Sequence, residues 1–381
     1  MACQDRIAVF YNGGQEVVSE IFNTLNHQWV YANSADQFSL FLCQRIITNR
    51  AEETKDWGSF VQVFKMEEWK NVGKIEQQTL SKKYFFLRKS LMESSFSSCF
   101  VDLYSRVHGE GKYHYRQFGT AGLYLPREKF RDGFILESDV ADFFLKCLKL
   151  IFSKSMTEKY EVLTIIMECL IFSRENMLIE KSPFHLHGFI IGASKAIQGL
   201  GESIEDIDEI LNFLKERYGI FPMELESIIC ALILVKVNSS IEMVNASLYI
   251  NLAFENVRCF LARSEDRLTS TSGLSSQEKE RVLTHADYIS KIIQRLVPFN
   301  TELIRLVRHH HGSPTGRGFP EFFRGMIQDE DIKLMAVIAI SEAFSDLRPG
   351  ESIIPALSKA KSLIPQIKLK KEFEEISNSI F

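Results

Sequence analysis

The histidines are the residues of this chain whose clustering could form a metal-binding site, because four of them fall between residues 285 and 311. His285 lies on an apolar helical stripe, and His309, His310 and His311 end the segment LIRLVRHHH. The helical period places His285, His310 and His311 so that all three could face one interior space. Three converging neutral imidazoles form a transition-metal site with open positions. The alternative is that each ring is separately satisfied in the core or at a helix cap. Spacing alone favours that alternative.

Helices must position these histidines, because the hydrophobic period is helical from about residue 137 to residue 364. Asn, Ser-Pro or Gly breaks separate most of the periodic segments. An all-α bundle is the architecture that such a series predicts. The predicted helices cover 139–152, a stripe over 162–170, 183–200, 204–217, 224–237, 241–262, 276–297, 301–308, 331–345 and 353–364.

The front of the chain has a different pattern. Residues 6–11, 29–32 and 60–64 read as strands, and 14–25 and 37–46 read as helices, which together predict a small α/β unit. Between 98 and 135, aromatic-rich runs separated by glycine turns favour short antiparallel strands. The fold class predicted for the whole chain is therefore α+β, with a small N-terminal α/β region followed by an all-α helical bundle.

Composition excludes several classes of partner and location. A net charge of -4 and a pI near 6.2 give no reason to expect nucleic acid or an anionic membrane. The longest apolar run, 228–235, is too short to cross a bilayer, so we expect no membrane insertion and a cytoplasmic location. Seven cysteines are scattered without a CxxC pair, which favours buried free thiols.

The segment 275–355 resembles the C-terminal half of HD-GYP domains, the bacterial cyclic-di-GMP phosphodiesterases. That family has a helix with a metal-binding histidine, then the motif HHExxDGxGYP, then a helix close to AVADAFDAL. Here His285 matches the first histidine, and His310-His311 match the pair. AISEAFSDL (339–347) matches the later helix, with Glu342 at its metal-binding Asp. The loop keeps the glycines and the proline of the motif at Gly316, Gly318 and Pro320.

The departures from this pattern concern ligating and acidic residues. Where the family reads ALLHDIGK, this chain reads ALILVKVNS (231–239), with Leu234 and Val235 at the two ligand positions and Asn238 near the lysine. An upstream histidine of the family corresponds to His187 or His185. In the loop, the Glu, Asp and Tyr of the motif are replaced by Gly312, Thr315 and Phe319.

These losses imply that the chain does not hydrolyse phosphodiesters. Hydrolysis by two metals needs a carboxylate that bridges ions about 3.5–4 Å apart, and Leu234 and Val235 cannot ligate a metal. The resemblance leaves a residual set of ligands for one iron, manganese or zinc ion, or for none. That set is His285, His310, His311 and Glu342, with His187 as a further candidate.

In the family, the GYP loop is exposed and is implicated in contacts with GGDEF (diguanylate cyclase) domains. The corresponding partner-binding loop contains Arg317, Phe319, Pro320 and Phe322, since arginines and exposed aromatics are typical interface anchors. The alternative, equally weighted, is that the aromatic side chains pack the loop onto the bundle. Arg308 and Arg317 are candidate phosphate contacts if cyclic-di-GMP binds.

The resulting prediction has two domains. Residues 1–136 form an N-terminal α/β accessory region, divisible into modules 1–75 and 76–136, and residues 137–381 form a degenerate HD-GYP-like domain. The predicted function is that of a catalytically inactive signalling or scaffold protein, linked to cyclic-di-GMP pathways, that binds a protein or a nucleotide. Two alternatives stay open: a metal-dependent cyclic-di-GMP phosphodiesterase with a non-standard metal site, and a nucleotide sensor without turnover.

Overall fold

The computed structural model describes most of the chain, and its contacts divide it into two compact units. The first unit contains Met1–Lys154, Glu180–Gly192 and Arg295–Pro298, and the second contains Ser155–Ile179, Ala193–Gln294 and Phe299–Phe381. The domain boundary between 136 and 137 stays a prediction. The described residues are 7–11, 29–32, 34, 40–43, 45–65, 83–93, 99–109, 112–126, 129–154, 158–201, 207–218, 223–250, 252, 276–310, 327–345, 347, 351–364 and 366–380.

The first unit begins with a four-stranded parallel sheet. Its strands are β1 (Ile7–Phe10), β2 (Trp29–Ala32), β3 (Arg45–Thr48) and β4 (Gln62–Lys65), in the order β2-β1-β3-β4. All four side chains of the central strand β1 are buried, as expected for a parallel sheet covered on both faces. The predicted strands at 6–11, 29–32 and 60–64 are therefore confirmed to within two residues.

The predicted helix 37–46 is wrong. Its described part consists of a single 3-10 turn, Leu40–Leu42, and the beginning of strand β3. The run Ile46-Ile47-Thr48 consists of β-branched residues, which suit a strand better than a helix. The predicted helix 14–25 lies outside the described residues.

A second, antiparallel sheet of the first unit has the order β5-β8-β6-β7. Its strands are β5 (Tyr84–Leu87), β6 (Leu103–Gly109), β7 (Lys112–Gly119) and β8 (Gly133–Leu136). Three of them confirm the short antiparallel strands expected between 98 and 135. One face carries buried side chains such as Phe85, Leu103 and Ile135, and the other carries half-buried aromatics.

The second unit consists of helices, and the first unit contains helices as well as its two sheets. The predicted helices are confirmed, and most of their described ends shift by three residues or fewer. The helix predicted at 241–262 ends earlier, at Tyr249, and residues 251 and 253–262 of that prediction lie outside the described residues. The bounds are α1 Ala51–Thr54, α2 Lys89–Glu93, α3 Val140–Ser153, α4 Lys159–Glu175, α5 Leu178–Lys181, α6 Pro183–Leu200, α7 Ile207–Tyr218, α8 Met223–Lys236, α9 Ile241–Tyr249, α10 Ser276–Leu296, α11 Thr301–His309, α12 Asp329–Ser345, α13 Ile353–Leu363 and α14 Ile367–Ile380.

The core of the second unit surrounds α8, which packs against α4, α9 and α12. From Ile228 to Leu234 every side chain of α8 is fully buried. A helix that is apolar on all sides must lie inside a bundle, so the sequence run IICALIL dictates this central position. The C-terminal end of this central helix is the place to which the resemblance assigns the family's metal ligands.

Two further expectations concern cysteines and membranes. The cysteines in the described part of the chain, at 43, 99, 147, 169 and 230, are buried free thiols, as predicted. Across the described ranges, none of the helices is both long enough and apolar enough to span a bilayer.

Candidate functional site

Leu234 and Val235, which the sequence resemblance places at the two positions of the family's His-Asp pair, lie in the last turn of α8. The Leu234 side chain is fully buried, and that of Val235 is partly buried. Gly201, which directly follows α6, approaches Val235 so closely that an added Cβ would collide with its side chain. The interior at this point is therefore filled by hydrocarbon.

The C-terminal end of α8 is capped by hydrogen bonds between backbone groups. Asn238 adopts a left-handed conformation with φ of 50°. The amide of Ser239 donates to the Leu234 carbonyl at 2.9 Å, and the amide of Asn238 donates to the Val235 carbonyl at 3.1 Å. This pair of hydrogen bonds is the Schellman motif, in which Asn is tolerated at the left-handed position. Asn238 thus serves as a helix terminator here.

A lysine from the neighbouring helix α12 also caps the C-terminal end of α8. The ammonium of Lys333 donates to the carbonyl of Val237 at 2.9 Å. A cation at a helix C-terminus is stabilised by the partial negative charge of the last carbonyls. Positive charge at the end of α8 is therefore supplied by a side chain of the protein itself.

His285 on α10 and His310, directly after α11, meet in the interior of the second unit, although spacing alone favoured separately satisfied rings. Their Nε2 atoms lie 3.0 Å apart, and both side chains are buried. Nδ1 of His310 is 2.6 Å from the Val307 carbonyl, so this nitrogen must carry a hydrogen and donate it. In the neutral ring the Nε2 of His310 then has a lone pair, and His285 donates to it. Burial lowers the pKa of His310 to about 4, so this ring is neutral at pH 7.

His309, the extra histidine of the triplet, faces a different neighbour. Its Nδ1 lies 3.2 Å from Oδ2 of the fully buried Asp331 on α12. The same oxygen accepts a hydrogen bond from the backbone amide of Gln328 at 2.8 Å. Asp331 is thus the acidic residue of a capping box at the start of α12. Arg305 contacts the other carboxylate oxygen at 2.5 Å. Asp331 is not among the predicted site residues, although an acidic residue in the first turn of a predicted helix is a signal for such a cap.

The pKa of Asp331 reflects these contacts. Burial raises it, but the hydrogen bonds from His309, the Gln328 amide and Arg305 together outweigh burial and hold the pKa below its ordinary value of 3.8. The carboxylate is therefore ionised and fixes the His309 ring with Nδ1 as the donor. The two neighbouring histidines diverge: His310 faces α10, and His309 faces α12.

Arg308 and Glu342, two further predicted site residues, lie in other surroundings. Arg308 is partly exposed on α11, where its Nε lies 3.2 Å from Oδ1 of Asp287. Glu342 is partly exposed on α12 and lies near the buried Cys230 of α8. Burial chiefly, and then the charge of Glu342, raise the pKa of that thiol.

His187, the remaining candidate ligand, belongs to the first unit. Its ring packs edge-on against Phe41, with 4.6 Å between ring centres, and burial lowers its pKa to about 3. The nearby His185 has its Nδ1 2.9 Å from the hydroxyl of Ser182. The other residues assigned to the loop, namely His311, Gly312, Thr315, Arg317, Phe319, Pro320 and Phe322, lie outside the described residues.

The two-metal centre that the fold family implies does not fit the described residues. Within those ranges, no three His, Cys, Asp or Glu side chains converge so that they could hold a metal ion. The pair formed by His285 and His310 supplies two nitrogens, and the residues that the resemblance places at the bridging carboxylate, Leu234 and Val235, have hydrocarbon side chains. No step of a two-metal hydrolysis can be derived from this set of side chains.

Comparisons with known proteins bear on the fold. No protein-family model matches this chain, and no curated protein matches it. Among solved structures, a match is found to Bd1817, an HDG"Y"P protein from Bdellovibrio bacteriovorus, with a TM-score of 0.50 and 12% sequence identity. The match covers 78% of this chain and 100% of that chain. Since sequence identity at this level shows the fold alone, the conclusion is that this chain has an HD-GYP-like fold.

Proposed function

We propose that this chain is a catalytically inactive HD-GYP-like signalling or scaffold protein, linked to cyclic-di-GMP pathways, that acts by binding another protein or a nucleotide. The HD-GYP-like fold supports the link to such pathways. Buried free cysteines are consistent with a reducing compartment, so we place the protein in the cytoplasm.

The observation that carries this proposal is the burial of Leu234 in the last turn of α8. A two-metal hydrolase needs a ligand with a lone pair at that position, and leucine has none. Val235 fills the next position, and the last carbonyls of α8 are already satisfied by the Schellman motif and by Lys333. A metal ion at this end of α8 would have to displace packed hydrocarbon and a lysine ammonium.

A second candidate function rests on the pair formed by His285 and His310. Two nitrogens at about 2.1 Å from one ion lie about 3.0 Å apart when the angle at the ion is 90°, and about 3.4 Å apart when it is tetrahedral. The observed separation of the two Nε2 atoms, 3.0 Å, matches the first geometry. The Nδ1–H of His310 is fixed by a carbonyl, which is the arrangement that ligating histidines usually have. These residues would hold a single iron, manganese or zinc ion, which would supply Lewis-acid chemistry. The candidate is a phosphodiesterase with a non-standard site.

Hydrolysis of cyclic-di-GMP by the purified full chain separates the two candidates. The assay is run with added Mn²⁺ or Fe²⁺, and bound metal is measured by elemental analysis of the same preparation. We expect no turnover and less than one equivalent of metal. Turnover that is lost in His310→Ala but kept in His108→Ala, a matched change of an exposed histidine on β6, would overturn the proposal.

Binding measurements divide the proposal further. Calorimetry with cyclic-di-GMP that detects binding without product favours a nucleotide sensor, and Arg308→Ala then tests the phosphate contact. A purified GGDEF domain is the probe for the loop with Arg317, Phe319, Pro320 and Phe322. If the scaffold role is correct, Phe319→Ala weakens this complex and leaves the thermal unfolding midpoint unchanged.

A further inference from the structure

Strand β7 forms one edge of the antiparallel sheet in the first unit. It is eight residues long and pairs with β6 on one side. In the described ranges no strand pairs with its other side. An edge of this length presents a row of backbone amides and carbonyls, and alternate residues point these groups away from β6. Of the strands that the structure describes, none occupies this edge, which has the length and the backbone groups to accept one.

The hairpin formed by β6 and β7 is basic, although the whole chain has a net charge of -4. Arg106, His108, His114 and Arg116 are exposed on its two strands. Its sequence contains one acidic residue, Glu110, between the last residue of β6 and the first of β7. The edge is thus suited to carboxylates, since opposite charges on neighbouring strands stabilise a sheet.

The two faces of the hairpin differ in what they can bind. On one face, Ser105 lies opposite Arg116 and the exposed Val107 lies opposite His114. On the other face, the Tyr115 ring stacks on Tyr84 with 3.8 Å between ring centres. Because these rings already stack on each other, they do not provide the free platforms that unpaired nucleobases need. The face of Arg116 and His114, together with the backbone edge, is what remains for a partner.

We propose that the β7 edge binds an acidic, extended segment of a partner protein by strand addition. Backbone hydrogen bonds along β7 would supply the affinity, and a carboxylate opposite Arg116 would supply the selectivity. The charges disfavour a second copy of this chain as the occupant. Antiparallel pairing of two β7 strands centred on His114 brings Arg116 opposite Lys112, and parallel pairing in register brings Arg116 opposite itself.

This proposal does not depend on whether the helical unit turns over a nucleotide. Two synthetic eight-residue peptides test it on the full chain: one alternates Glu with Thr or Val, and its counterpart carries Lys in place of every Glu. Binding is measured by fluorescence anisotropy and located by hydrogen exchange. We expect the acidic peptide to slow exchange of the β7 amides about tenfold at saturation, and the basic peptide to leave them unchanged.

Substitutions on exposed positions provide the control. Arg116→Glu should weaken binding of the acidic peptide about tenfold and favour the basic peptide. Lys149→Glu, a matched charge reversal at an exposed position of α3, should leave binding unchanged. The proposal is overturned if neither peptide binds, if protection maps to residues other than 112–119, or if both charge reversals have equal effects. It is also overturned if sedimentation shows a dimer whose formation protects β7.

Discussion

Leu234→Ala tests whether Leu234, at a position that the resemblance assigns to a metal ligand of the family, is a core residue of this chain. The substitution removes three buried carbon atoms from the last turn of α8. At about 0.8 kcal/mol for each carbon, the loss of burial destabilises the second unit by roughly 2.4 kcal/mol. Because neighbouring side chains refill such a space only in part, the cavity brings the expected loss to about 3–4 kcal/mol. Val235→Ala, at a partly buried position, should cost about 1 kcal/mol.

The measurement is urea unfolding followed by far-ultraviolet circular dichroism, which reports on the helices. A change in the midpoint with an unchanged slope gives the change in the free energy of unfolding. Each protein is measured with and without a chelator, since a ligand that binds only the folded state would stabilise it. We expect the difference between Leu234→Ala and the unsubstituted chain to be the same in both conditions.

Two results would refute this reasoning. A loss below about 1 kcal/mol for Leu234→Ala would mean that the side chain is not packed as the structure has it. A loss that disappears when the chelator is added would mean that this end of α8 supports a bound metal. Val237→Ala, a partly buried residue just beyond α8, is the control for a general effect of truncation in this segment.

Three further predictions concern buried charge, pH and the helix end. Glu224→Ala should destabilise the second unit by about 3–5 kcal/mol, because it leaves the buried guanidinium of Arg174 without its ion-pair partner. The double variant Glu224→Leu with Arg174→Met should recover most of the lost free energy of unfolding, as measured by urea unfolding in a double-mutant cycle. The folded pKa values of His310 and His187, about 4 and about 3, lie below the ordinary 6.5, so stability is full above pH 6.5 and falls as the pH is lowered through that value. The free energy of unfolding, obtained from the urea midpoint, should therefore be lower at pH 5.0 than at pH 7.5 by about 2 kcal/mol for each ring. His187→Phe should remove the part of this pH dependence that comes from His187. A midpoint that is unchanged or higher at pH 5.0 would contradict the burial of neutral rings. Asn238→Gly should leave the thermal midpoint nearly unchanged, whereas Asn238→Ala should cost about 1 kcal/mol of stability. The reason is that glycine tolerates the left-handed conformation and alanine does not. Equal midpoints for the two variants would contradict the Schellman motif at the end of α8.

Much of the helical unit could be predicted because its signals are local. The hydrophobic period predicted α6, at 183–200, with both ends correct, and α8, at 224–237, to within one residue at each end. Leucine and valine at the ligand positions could also be recognised from the sequence, since no fold can give them a lone pair. Weaker signals failed. Helix α14 (Ile367–Ile380) was not predicted, because its polar sequence has only a narrow buried stripe around Phe373 and Ile376.

What the sequence by itself determined is the helical bundle and the hydrocarbon side chains at positions 234 and 235, because side-chain chemistry and hydrophobic period belong to the residues themselves. Only the tertiary structure decided the partners of the histidines. Residues 309 and 310 are adjacent, so their directions differ by about 100° around the helix axis. Which neighbour each ring meets depends on how α10 and α12 pack around α11: His310 meets His285, and His309 meets Asp331. Packing of distant segments sets these contacts, so the spacing of histidines along the chain could not.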